Sequence, residues 1–221
     1  QEADIKFLIQ QANLRKEETN SDAVKNLQEA IKAANDSANL EINKLEVIGY
    51  ASPDGAQKLN EDLANKRQKE TAKFLQKQFK KDKMDVAIES NVTAEDWEGF
   101  HELMENSNIQ DKELVLRVLS MYSDPEEREA QIKNLSAVYE NIADEILPAL
   151  RRSRLVLTTD LIGKSDEEIS KLAEEDPAQL SLEELLYAAT LKDDPNEKAK
   201  IYNKAIELYP DDYRAYKIGR A

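Results

Sequence analysis

The chain has 221 residues, of which 40% are hydrophobic and 34% charged, and this balance is typical of a soluble globular protein with a real core rather than a disordered chain. Its formal net charge of −14 repels phosphate backbones and anionic lipid, so nucleic acid is not an expected partner. No apolar run is long enough to predict a transmembrane helix.

The first part of the chain alternates predicted strands and helices. Alternating, β-branched segments predict strands, whereas apolar residues at spacings of three and four predict helices. The strands are predicted over 4–9, 44–52, 84–92 and 152–161, and the helices over 19–36 and about 56–80. Val24, Leu27 and Ile31 give the first helix one buried face, with Ser21 or Thr19 as its N-cap. This order predicts an α/β or α+β sandwich with helices packed on a sheet.

The segment between the third and fourth predicted strands, about 93–148, is predicted to be an all-helical insertion. A helix opens after Thr93, with Asp96 three residues on in a pattern close to a capping box. Asp124 followed by Pro125 is a strong helix-start signal, since proline suits the first helical position. The three helices are predicted over 93–104, 111–122 and 124–147.

From Gly163 onward the β-branched runs stop, and two helices separated by a turn at 193–196 are predicted. Tyr202, Ala205 and Pro210 match the closing positions of a tetratricopeptide repeat. One repeat cannot bury its own face, so the chain is expected to stop inside a longer helical array. Two ordinary helices that pack back on the domain fit equally well. The predicted domains are 1–163 and 164–221.

Two polar residues of the helix at 56–80 lie on its apolar side. At about 100° per residue, Asn60 and Arg67 project into the same arc as Leu63 and Ala64. They lie near the turn that follows the second strand, where free helix amides favour an anion. The placement is unusual because buried polar groups need partners.

Two interpretations of Arg67 are open. A buried arginine commonly bonds backbone carbonyls or a carboxylate such as Asp54 or Glu61, and so stabilises the fold. Alternatively, it forms a cationic pocket for a ligand carboxylate. In the adjoining turn, Pro53 fixes its own φ and Gly55 accepts a positive φ.

The stretch GYASPDGAQKLNEDLANKRQKETAKFL (49–75) resembles the signature of the OmpA-like, peptidoglycan-associating domain family, in an Ala-Ser-Pro variant. In that family a strand ends in Gly-x-Thr/Ala-Asp, and a glycine, Asn-x-x-Leu-Ser, an arginine and a long helix follow. The resemblance covers about 1–163, interrupted by the helical insertion. The matching positions are Gly49, Tyr50, Gly55, Asn60, Leu63, Ala64 and Arg67, and the final strand is entered through Arg151, Arg152 and Arg154.

The resemblance implies a mixed four-stranded sheet of OmpA-like topology and a ligand site. Family members hold the diaminopimelate of a peptidoglycan stem peptide by an aspartate at its amino group and an arginine at its carboxylate. Arg67 falls on the arginine position, but Ser52 occupies the aspartate position and cannot neutralise an ammonium group. Asp54 is a candidate substitute, or the ligand differs. The predicted ligand-binding residues are Ser52, Asp54, Gly55, Asn60 and Arg67.

The functional expectation is a non-catalytic protein of the cell envelope, periplasmic or associated with the outer membrane, that binds peptidoglycan or a related carboxylate ligand. The alternative is a protein-interaction scaffold with a degenerate site, in which the helical insertion and C-terminal helices bind partner proteins. Cysteine is absent and histidine occurs once. Thiol catalysis, His-based triads and Cys/His metal sites therefore lack their residues, and neither an enzyme nor a cofactor is expected.

Overall fold

The computed structural model describes residues 1–37 and 39–217, and the chain divides into two compact units with a boundary between Leu161 and Ile162. The first unit contains a sheet, and the second is helical. The predicted domain boundary lies after residue 163. Among the helices in the described ranges, none is long and apolar enough to cross a membrane.

A mixed four-stranded sheet forms the centre of the first unit, as the predicted fold class requires. Its strands are β1 (Glu2–Lys6), β2 (Leu40–Tyr50), β3 (Glu89–Thr93) and β4 (Arg152–Leu161). The order is β1-β4-β2-β3, with β4 antiparallel to β1 and β2, and β3 parallel to β2. Because β4 runs against both neighbours, its first residues lie beside the last residues of β1 and β2.

Helices cover one face of this sheet. They are α1 (Lys16–Thr19), α2 (Asp22–Asp36) and α3 (Gln57–Asp82). The predicted face of α2 is buried, and the Ser21 hydroxyl caps that helix by accepting from the backbone N–H of Val24. Thr19, the other candidate cap, instead ends α1. The shared core consists of Ala3, Ile5, Phe7, Val24, Leu27, Ile31, Leu45, Val47, Leu75, Phe79, Leu155 and Leu157.

Three strand predictions were wrong at their ends. The strand predicted over 44–52 spans Leu40–Tyr50. The strand predicted over 4–9 spans Glu2–Lys6, because its partner β4 begins at Arg152, opposite Lys6, and the chain then turns at Gln10, whose φ is +55°. The strand predicted over 84–92 begins only at Glu89, the first residue with a partner on β2. Its earlier apolar residues pack against the core without joining the sheet; they are Met84, Val86 and Ile88.

The helical insertion has its own core and is more broken than predicted. Its elements are α4 (Trp97–Asn106), α5 (Lys112–Met121), α6 (Pro125–Asn134), α7 (Ser136–Asn141), a π-helical turn (Ile142–Ile146) and α8 (Leu147–Leu150). Thr93 ends β3, and the side chain of Asp96 caps α4, so the predicted opening after Thr93 was wrong. Asp124 caps α6 with Pro125 at the first helical position, as predicted.

The helix predicted over 124–147 is interrupted twice. Leu135 leaves helical geometry, with φ −84° and ψ 59°. Further on, the N–H of Leu147 bonds the carbonyl of Ile142, five residues back, immediately before Pro148. Proline cannot donate and its ring crowds the preceding turn, and the wider π turn accommodates it.

The second unit contains the predicted hairpin and additional helices. Its elements are α9 (Asp166–Glu175), a 3₁₀ turn (Pro177–Gln179), α10 (Leu182–Thr190), α11 (Pro195–Leu208) and α12 (Tyr213–Lys217). Ala205 is fully buried in the core of this unit, and the Tyr209 hydroxyl donates to the carbonyl of Leu180 at 2.7 Å. The last part of the predicted 164–221 domain, residues 218–221, lies outside the described residues.

Candidate functional site

Gly49 lets α3 lie directly against the end of β2. A Cβ atom at this position would lie 2.1 Å from the carbonyl oxygen of Ala64 and 2.7 Å from Cβ of Gln68. A larger residue would therefore push the helix off the strand. Asn60 and Arg67, roughly one helical turn to either side of Ala64, are both buried at this junction, as the helical periodicity predicts.

A cavity of about 120 Å³ lies between the turn after β2, the first half of α3 and the start of β4. The structure brings all five predicted ligand-binding residues to its wall, together with residues that the sequence analysis did not assign to a site. The lining residues are Ile9, Gln10, Ala51, Ser52, Asp54, Gly55, Leu59, Asn60, Leu63, Arg67 and Arg151.

Arg67 is a buried cation held by backbone carbonyls. Its guanidinium donates to the carbonyls of Gln11 at 3.0 Å, Tyr50 at 2.8 Å and Leu8 at 3.4 Å, and lies 5.4 Å from the ring centre of Phe7. Only 1% of the residue is exposed. Burial, and then the charge of Arg151, lower the pKa of Arg67 to about 10. The carbonyl bonds match the fold-stabilising interpretation, but no carboxylate of residues 1–37 or 39–217 neutralises the charge.

Arg151 is a second cation at the cavity, and the site prediction missed it. It is 9% exposed, and its backbone carbonyl accepts from the N–H of Phe7 at 2.6 Å. Within the described part of the chain, its guanidinium has neither a hydrogen-bond partner nor a carboxylate partner. Burial lowers the pKa of Arg151, although the carboxylate of Asp54 opposes that effect. The cluster of arginines around the start of β4 was the sequence feature from which Arg151 could have been assigned to the site.

Ser52 and Asn60 contribute neutral polar groups. Ser52 is buried, and its hydroxyl makes no hydrogen bond to any described residue. The Asn60 side-chain amide donates at 3.4 Å to the carbonyl of Gly55 and at 3.5 Å to Glu95, so both bonds are long. The Ser52 hydroxyl is thus available to a ligand as a donor or an acceptor.

The helical insertion covers the other predicted residues of the turn. The Tyr139 hydroxyl donates to Oδ1 of Asp54 at 3.1 Å, and Nζ of Lys133 lies 3.3 Å from the same oxygen. The backbone N–H of Gly55, whose φ is +98°, donates to Glu129 at 2.7 Å. Burial, and then the Asp54 charge, raise the pKa of Tyr139. Asp54 thus shares Lys133 with Glu129, whose Oε1 atom lies 2.5 Å from the same Nζ.

Arg152, the first residue of β4, makes a different kind of contact. Nη2 of Arg152 lies 2.7 Å from Oδ2 of Asp96, and both side chains are buried. The Arg152 guanidinium also lies 4.4 Å from the ring centre of Tyr50. This ion pair ties the start of the helical insertion to the sheet.

The described residues do not form a metal site. Across residues 1–37 and 39–217, no group of three or more His, Asp or Glu side chains is arranged to hold a metal ion.

No family model matches the chain, and no match is found among the curated proteins or the solved structures.

Proposed function

We propose that the first unit is a non-catalytic binding domain that takes a ligand carboxylate in the cavity beside Arg67 and Arg151. One observation carries this proposal. Two buried guanidinium groups line one small cavity, and neither pairs with a carboxylate of residues 1–37 or 39–217.

The charge balance favours an anion as ligand. Buried charges are normally paired, because removing an ion from water is costly. The lowered pKa of both arginines reflects that cost. A ligand carboxylate between the two groups would raise the pKa of each toward its usual value and accept charge-assisted hydrogen bonds from each.

The cavity volume limits what can enter. At about 120 Å³ it is well below the roughly 300–1,000 Å³ that encloses a drug-sized ligand. It therefore fits the end of a longer molecule, with the rest in solvent. A peptide that ends in a carboxylate meets this requirement.

The resemblance to the OmpA-like family supplies the candidate ligand and location. Arg67 lies at the position where that family binds the diaminopimelate carboxylate. We therefore propose the peptidoglycan stem peptide as the ligand and the cell envelope, at the periplasmic face or the outer membrane, as the location. The tetratricopeptide-like helices of the second unit would then bind partner proteins.

Calorimetric titration with a diaminopimelate-containing stem peptide tests the proposal. Arg151→Met is the informative variant, because Arg151 makes no side-chain bond that the fold needs in the described structure. Arg154→Met is the matched control: it removes the same charge three residues further along the chain, within β4 and outside the cavity lining. Wild type and Arg154→Met should bind, and Arg151→Met should not. Failure of the wild type to bind any carboxylate ligand would reject the proposal.

One observation favours the scaffold alternative. The helical insertion already bonds Asp54 and the Gly55 amide, through Tyr139, Lys133 and Glu129. In that case the site has lost its ligand, and the insertion and second unit bind proteins. A partner protein that is retained equally by wild type and Arg151→Met, with no carboxylate binding to either, would support this function.

A further inference from the structure

We infer that the cavity prefers a peptide C terminus, meaning a carboxylate whose neighbouring nitrogen is acylated and whose side chain is aliphatic, over an amino-acid centre that carries a free ammonium. The inference rests on the proposed carboxylate binding at Arg67 and Arg151, and it narrows the class of ligand. Three features of the cavity wall carry it.

The first feature is that the one carboxylate of the lining set is already bonded within the protein through one of its oxygens. Asp54 is the only acidic residue of the lining set, and Lys133 and Tyr139 already hold its Oδ1 atom. The two arginines leave the lining with an excess of positive charge. An ammonium next to the ligand carboxylate would therefore be repelled rather than paired.

The second feature is an aliphatic rim. Ile9 and Leu59 line the cavity and are 56% and 45% exposed, and the partly buried Leu63 lies on the same wall. Exposed aliphatic side chains around a cationic floor suit a ligand that is charged at its tip and apolar beside it. The terminal carboxylate and last side chain of a peptide have this arrangement.

The third feature is the neutral hydroxyl of Ser52. An acylated nitrogen carries one N–H and no charge, and a hydroxyl oxygen can accept from it. The Ser52 hydroxyl lies in the lining set and has no partner among the described residues. Serine thus suits the neutral amide of a peptide terminus, whereas it accepts from an ammonium without balancing the charge of that group as a carboxylate would.

Four probes test the preference by calorimetric titration of the full chain. Acetyl-L-alanyl-L-leucine represents a polypeptide end, and acetyl-D-alanyl-D-alanine represents the D-alanine end of a stem peptide. meso-Diaminopimelate presents the free ammonium, and acetyl-L-alanyl-L-leucinamide lacks the carboxylate. We expect at least one acetylated acid to bind roughly tenfold or more tightly than diaminopimelate, because the charge repulsion is absent. The tighter of the two acids identifies the source of the ligand.

The amide should not bind, and Arg151→Met should lose the acids while Arg154→Met retains them. Diaminopimelate that binds as tightly as the acetylated acids would overturn this inference and leave carboxylate binding in place. If neither the acids, diaminopimelate nor the stem peptide binds, the proposed function fails as well. Equal binding of the amide and its acid would also reject both, since the arginines would then have no role.

Discussion

The arginines around the start of β4 lie in two regions, and the regions differ in whether an arginine pairs with a carboxylate. On one side, Arg152 pairs with buried Asp96 at 2.7 Å, and Arg154 donates to Asp4 at 3.0 Å. On the cavity side, the Arg67 guanidinium bonds backbone carbonyls. Neither Arg67 nor Arg151 forms an ion pair with a carboxylate of the described ranges, although the charge of Asp54 acts on Arg151. Arg151, the residue before β4, and Arg152, its first residue, thus have opposite electrostatic surroundings.

Scarcity of acid does not explain the contrast. The chain has 45 acidic and 31 basic side chains, so carboxylates are abundant. The one carboxylate on the cavity wall, Asp54, is held by Lys133 and Tyr139 instead. The charge of an arginine paired with a carboxylate is balanced inside the protein, whereas the unbalanced charge of Arg67 and Arg151 leaves room for an anion from outside. The following predictions separate these two roles.

The largest expected effect is on the paired side. Arg152→Met leaves the buried Asp96 carboxylate without its cation and should lower the free energy of unfolding by about 4 kcal/mol. Urea denaturation measures this change. If the unfolding free energy falls by less than about 1 kcal/mol, the Arg152–Asp96 pair is as weak as a surface ion pair. The two regions would then not differ as described.

Arg67→Met should be the next most damaging change. It leaves the carbonyls of Gln11, Tyr50 and Leu8 without their donor, at a cost of about 3 kcal/mol in unfolding free energy. The same urea experiment measures it. An unchanged stability would mean that these bonds do not stabilise the fold and that Arg67 serves the ligand alone.

Freeing Asp54 should change specificity more than stability. In the double variant Lys133→Met, Tyr139→Phe, the Asp54 carboxylate loses both groups that hold it and becomes available to a ligand ammonium. Affinity for meso-diaminopimelate should rise by about tenfold relative to acetyl-D-alanyl-D-alanine, which is about 1.4 kcal/mol. Lys73→Met, on the exposed face of α3, is the control and should change neither affinity. An unchanged ratio in the double variant would show that Asp54 does not face the ligand.

The smallest effect is expected at Arg154. Its contact with Asp4 is partly exposed, so Arg154→Met should alter the unfolding free energy by about 0.5 kcal/mol or less. Thermal unfolding and calorimetric titration check stability and binding together. Lost carboxylate binding in this variant would mean that net charge, rather than the cavity, attracts the ligand.

The sequence predicted the parts of this site that depend on local periodicity. Asn60 and Arg67 could be assigned to the buried side of α3 because a helix repeats every 3.6 residues. Arg151 reaches the cavity only through the antiparallel pairing of β4 with β2, and the helical insertion separates it from α3 in sequence. The contacts of Asp54 with Lys133 and Tyr139 depend on how that insertion folds back, which no local pattern encodes. The site prediction was therefore incomplete where contacts depend on strand pairing and on the folding of the helical insertion.

Thermal unfolding of wild type and Arg151→Met, each with and without the stem peptide, tests the central claim most directly. If the role of Arg151 is to bind a ligand, Arg151→Met without peptide should be at least as stable as wild type, because the repulsion between Arg151 and Arg67 is removed. The peptide should raise the Tm of wild type only. A variant that is markedly less stable without peptide, or that responds to it as wild type does, would contradict the account.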